Sequence, residues 1–112
     1  MSAPRLTRAL VLETPQAAPD GAGGQVISWT ALGTVWGQIR PGAGSERIGA
    51  LGPEGAQRLR ITCRAAPAGS DRRPRPGQRL VEGLRRFRIL AVAEADPAGR
   101  YLVCTALEED PA

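Results

Sequence analysis

Hydrophobic and polar positions alternate along this chain in short stretches, the pattern of strands with one buried and one solvated face. It is cleanest over residues 57–64, where Leu59, Ile61 and Cys63 point one way and Arg58, Arg60, Thr62 and Arg64 the other. Residues 8–14 predict a first strand, with Leu10 and Leu12 opposite Val11. Residues 25–32 predict a second, with Ile27, Trp29 and Ala31 sharing a face. Gly33-Thr34 reads as a tight break, and residues 35–40 as a third strand ended by Pro41. Residues 79–81, 84–95 and 100–107 complete the set, joined by turns at Glu82-Gly83 and at 96–99. In the long strand 84–95, Phe87, Ile89, Ala91 and Ala93 are assigned to the inside, with Leu90 and Val92 on the other face.

Three stretches read as loops. Residues 15–24 hold prolines and end in Asp20-Gly21-Ala22-Gly23-Gly24, a flexible hairpin loop. Residues 42–56 contain five glycines and Pro53, with a short helical turn over 45–51 capped by Ser45. Residues 65–78 carry Arg72, Arg73 and Arg75 among prolines.

With 112 residues, 14 glycines and 10 prolines, this makes one domain of many turns and short elements. The expected fold is all-β: a small antiparallel barrel or sandwich of about six to seven strands with long loops and at most one short helix. Its core is expected to comprise Leu10, Leu12, Val35, Ile39, Leu59, Ile61, Phe87, Ile89 and Ala91.

The candidate chemistry is sparse. There is no histidine, so the commonest general base and metal ligand is missing. Carboxylate pairs such as Glu94 with Asp96 sit at turns, and the glycine-rich runs lack the Gly-Lys-Ser/Thr ending of a phosphate loop. Cys63 and Cys104 lie in apolar strands without metal-binding spacing, and are expected as buried thiols. Neither an enzyme nor a cofactor is expected. The net charge is +4, and all 15 basic residues are arginine. That permits contact with nucleic acid, and a small nucleic-acid-binding barrel is the alternative to weigh. No stretch approaches the ~20 apolar residues of a membrane helix, and the first twelve residues do not read as a signal peptide. Folding in the cytoplasm is therefore expected.

The order of motifs resembles the phage head-tail adaptor, or head-closure (stopper), family. The glycine hairpin at 20–24 is followed by Trp29-Thr30, then Thr34-Val35-Trp36 with Ile39 and Pro41. Next come the arginine-rich strand Leu59-Arg60-Ile61-Thr62, then Pro76-Gly77-Gln78-Arg79-Leu80 and Arg86-Phe87-Arg88-Ile89-Leu90. Leu84-Arg85 after Gly83 points to a hairpin there that is a residue or two longer than in family members.

The resemblance implies a β-barrel subunit of a homo-oligomeric ring of about six or about twelve copies, six favoured. Such a ring would sit in a phage or gene-transfer-agent particle, between the portal-adaptor ring and the tail terminator or tube. It would hold packaged DNA without sequence specificity. The resemblance also implies that the loop after Pro41 lines the channel, through Ser45, Glu46, Arg47, Ile48 and Leu51. Trp29, Trp36, Arg72, Arg73 and Arg75 are the candidate interface residues. The two tryptophans are expected to pack on each other or on a neighbouring subunit.

Overall fold

The structure is a computed structural model describing residues 3–42 and 58–109. Its strands are β1 (Arg8–Pro19), β2 (Gln25–Pro41), β3 (Arg58–Arg64), β4 (Arg79–Glu82), β5 (Arg85–Glu94) and β6 (Tyr101–Glu109). They close into an antiparallel barrel in the order β1-β2-β3-β6-β5-β4, with β4 returning to pair with β1. Closure removes the exposed sheet edges that a sandwich this small would leave. No described residue is helical; the turn expected over 45–51 lies outside the described residues.

Inward-pointing residues of all six strands form one core. Leu10, Leu12, Ile61, Cys63, Leu80, Phe87, Cys104 and Ala106 are fully buried, and Val35, Ile89 and Leu102 nearly so. Leu59 and Ile39 pack against this core from its margin. Gly37 also faces inward, opposite Arg8 and Cys63. A Cβ there would lie 3.0 Å from Leu10 Cδ1 and 3.1 Å from the Thr62 carbonyl oxygen. The absence of a side chain thus lets β2 sit close to β1 and β3.

Two bulges explain where the alternation misleads. Leu12 pairs with Gly33 but Glu13 pairs with Ala31, so Leu32 is an extra residue in β2. Gly33 takes φ +143, a conformation that favours glycine. The expected break at Gly33-Thr34 is therefore a kink inside one strand. The second bulge lies between Ile89, which pairs with Ala106, and Ala91, which pairs with Thr105, leaving Leu90 over. One extra residue inverts the faces beyond it. Ala91 and Ala93 are consequently exposed, against expectation, and Val92 packs on the core.

The expected loop at 15–24 is also shorter. β1 runs on to Pro19 in register with β2, and only residues 20–24 turn. Beyond Glu13, β1 has no second neighbour, so Pro15 and Pro19, which cannot donate to a ladder, face an open edge. The β4–β5 hairpin is not lengthened: Glu82 pairs with Arg85 across Gly83-Leu84 alone. Gly83 has φ +61, as the first position of a type II′ turn requires.

Candidate assembly surfaces

The barrel has two mouths and an arm. One mouth gathers the starts of β1, β3 and β5 and the ends of β2, β4 and β6. Arg8, Glu82, Arg85 and Glu108 occupy inward positions of four strands there. Arg8 grips Glu82 through both Nε, at 2.9 Å, and Nη2. Arg85 grips Glu108 in the same fork-on-fork manner at 2.8 and 2.9 Å, and lies 4.0 Å from Glu82. Its guanidinium also covers the Phe87 ring at 5.0 Å. Hydrogen bonding to Arg8 holds the Glu82 carboxyl below its usual range, and Arg85 does the same for Glu108. The four charges cap the apolar interior. The barrel is therefore filled and stoppered, and has no lumen through which a polymer could pass.

The segment after Pro41 is rooted at this same mouth, where the Gly42 amide donates to the Arg58 carbonyl at 2.8 Å. The expected channel residues Ser45, Glu46, Arg47, Ile48 and Leu51 lie outside the described residues.

The opposite mouth is covered by the 65–78 loop. Gln78, nearly buried, accepts from the Arg75 amide at 2.9 Å, and its carbonyl accepts from Ile89 N–H at 2.9 Å. Arg73 donates to the Ala66 carbonyl at 2.8 Å, and Arg72 lies against Gly33, its Nε 3.2 Å from where a Cβ would stand. Of the three candidate interface arginines, only Arg73 is thus turned onto the chain's own backbone; Arg72 and Arg75 are exposed.

Trp29 and Trp36 lie on one strand, not on neighbouring strands. Seven residues of extended chain separate them by roughly 23 Å, so the expectation that they pack on each other fails. Trp29 sits at the root of the arm with Arg79 stacked on its ring at 4.1 Å. Arg79 also pairs with Glu13 at 2.6 Å and reaches Glu109 at 3.9 Å. Nothing local in the sequence marks Arg79 for this role, because its partners come from three other strands. Trp36 is 55% exposed on the outer wall.

Cys63 and Cys104 are free, fully buried and adjacent in the core. Contact with Cys63, reinforced by burial, pushes the Cys104 thiol far up. No group of metal-ligating side chains occurs among the described residues.

This filled, capped barrel has relatives among known proteins. The profile of phage head completion proteins matches residues 1–109. The chain belongs to that family. Among solved structures, it is similar to a chain from the virion of a native gene transfer agent particle. The two share 50% identity over 98% of this chain and 100% of that one, with a TM-score of 0.79. Protein SF1141 from Shigella flexneri 2a has the same fold, with a TM-score of 0.67 at 19% identity over the whole of both chains. No curated protein matches.

Proposed function

We propose that this head completion protein is a structural subunit of the head-tail connector of a phage or gene transfer agent. In this reading, copies form a ring, six favoured and twelve possible, between the portal-adaptor ring and the tail terminator or tube, and the ring retains packaged DNA. The carrying observation is the 50% identity, over nearly all of both chains, to a component of a native gene-transfer-agent virion. The filled barrel supports the same reading. A passage for DNA cannot run through a subunit whose core residues are fully buried, so it must lie between copies.

The segment after Pro41 is the channel element in this proposal, since its ends share the mouth that Arg8, Glu82, Arg85 and Glu108 close. Arg47 would favour phosphates there, while Glu46 and Glu54 would oppose them. Retention by steric closure fits that balance better than tight binding. The test is removal of residues 43–55 in a particle-producing strain. Heads should fill, then leak DNA or fail to join tails; particles that keep their DNA and transfer it normally would refute the role of this segment. Deletion of the whole gene without effect on tailed, filled particles would refute the connector role itself.

A further inference from the structure

We propose that the β1–β2 arm is the joint between neighbouring copies of this chain, seating its apolar face on the outer wall of the next copy's barrel. The proposal rests on the ring-subunit reading above.

Past Glu13 the two strands leave the barrel as a free ribbon in strict register, Pro15 opposite Trp29 and Ala17 opposite Ile27. Directly paired residues share a face, so Pro15, Ala17, Ile27 and Trp29 form one apolar surface. The reverse face carries Thr14, Gln16, Ser28 and Thr30, with Ala18 and the exposed Val26 at its tip end. From the root to Ala17 and Ile27 this is the one-sided pattern of a sheet that packs against something, yet only Trp29 is covered, by Arg79 of β4, and Ile27 is 52% exposed. A two-stranded ribbon is marginal in water unless an apolar face is covered.

The complementary surface lies on the same chain. Ala9, Val11, Thr34 and Trp36 occupy outward positions of the barrel half of β1 and β2, an uncharged strip with Trp36 as its exposed anchor. The arm cannot reach its own strip, because both belong to one continuous ribbon and one face of it. Only a second copy can bring them together.

Charge supports the same pairing. Between Thr14 and Thr30 the arm has a single ionisable group, Asp20, in a chain of net charge +4. Backbone amides of Ala22 and Gly24 hold the Asp20 carboxyl below its usual range, so the tip is anionic. Along β2, the strip ends at the exposed Arg40, roughly 13 Å past Trp36, and Asp20 lies roughly 10 Å past Ala17 at strand spacing. An arm laid with Ala17 and Ile27 beside Trp36 therefore brings Asp20 close to Arg40. Arm and strip are different patches, so the contact is head-to-tail and repeats around a closed ring.

The experiment places the photo-reactive residue p-benzoylphenylalanine at position 27 (Ile27→p-benzoylphenylalanine) in particles that carry this chain as their sole copy. Irradiation should give a ladder of covalent multimers of this chain, with cross-linked peptides mapping to residues 9–11 and 34–36. Cross-links solely to another particle protein, or none, would overturn the joint while leaving the connector role intact. A chain absent from purified particles would overturn the connector role, and the joint with it. In parallel, Asp20→Arg and Arg40→Asp should each lower incorporation into particles at least tenfold. The two together should restore most of it, with melting temperatures of the isolated chains within a few degrees of the parent. Failure of the pair to restore incorporation would overturn the Asp20–Arg40 placement.

Discussion

Replacing Gly37 by alanine tests whether the close approach of β2 to its neighbours is built on a missing side chain. The new methyl group would meet Leu10 Cδ1 at 3.0 Å, Thr62 O at 3.1 Å and Ile61 Cγ2 at 3.3 Å. Leu10 and Ile61 are fully buried, and Thr62 belongs to the β2–β3 ladder, so none of the three can give way freely. Overpacking of this kind costs about 1–3 kcal/mol. The loss of chain entropy in the unfolded state offsets about 0.4–1 kcal/mol of it. A net destabilisation of about 1–2 kcal/mol should lower the melting temperature by roughly 5–10 °C for a domain of this size. Thermal unfolding followed by circular dichroism reads it directly. In a Leu10→Ala background the same change should cost visibly less, since one of the crowding atoms is gone. A Gly37→Ala protein that melts at or above the parent temperature would refute the crowding argument. Equal penalties in both backgrounds would show that Leu10 is not the obstacle.

Other outcomes follow from the core and the capped mouth. Ile61→Asp and Ile89→Asp should each abolish soluble expression, because both sites bury a charge without a partner; normal yields of both would refute the assignment of faces. Glu82 and Glu108 have folded-state pKa values below their unfolded value of 4.5. Their contribution is therefore present above about pH 4.5 and lost as pH falls through the lower folded values. Glu82→Gln with Glu108→Gln should flatten the acid limb of a stability-pH profile, and an unchanged limb would refute the role of the cap. Cys63 and Cys104 should resist alkylation by iodoacetamide in the folded protein and both react in denaturant; rapid labelling without denaturant would contradict their burial.

The sequence makes the barrel legible wherever strict alternation meets a partner of matching pattern, as β3 does. It misleads at two kinds of place. An extra residue at Leu32 or Leu90 resets the faces, and nothing in the residue types announces it, so Ala91 looks like core and is exposed. Proline and glycine were the other source. Pro15 and Pro19 suggest a loop, yet an edge strand tolerates them, and Gly33 suggests a break where it relieves a bulge. The assembly surfaces are less legible still. The ionic cap joins residues up to 74 positions apart, Arg8 and Glu82, and Trp29 finds Arg79 only through closure of the barrel. Arg72, Arg73 and Arg75 look like one basic patch in the sequence, but the fold turns Arg73 onto the Ala66 carbonyl and leaves Arg72 and Arg75 exposed.

The central claim is that copies of this chain close the head of a phage or phage-like particle at its junction with the tail. An electron cryo-microscopy reconstruction of that junction, from particles produced with this chain as the sole copy, tests it most directly. The expected result is a closed ring of this six-stranded barrel between the portal-adaptor complex and the tail, with its capped mouth and the segment after Pro41 turned toward the central passage. Density for the barrel elsewhere in the particle, or a junction built without it, would contradict the claim.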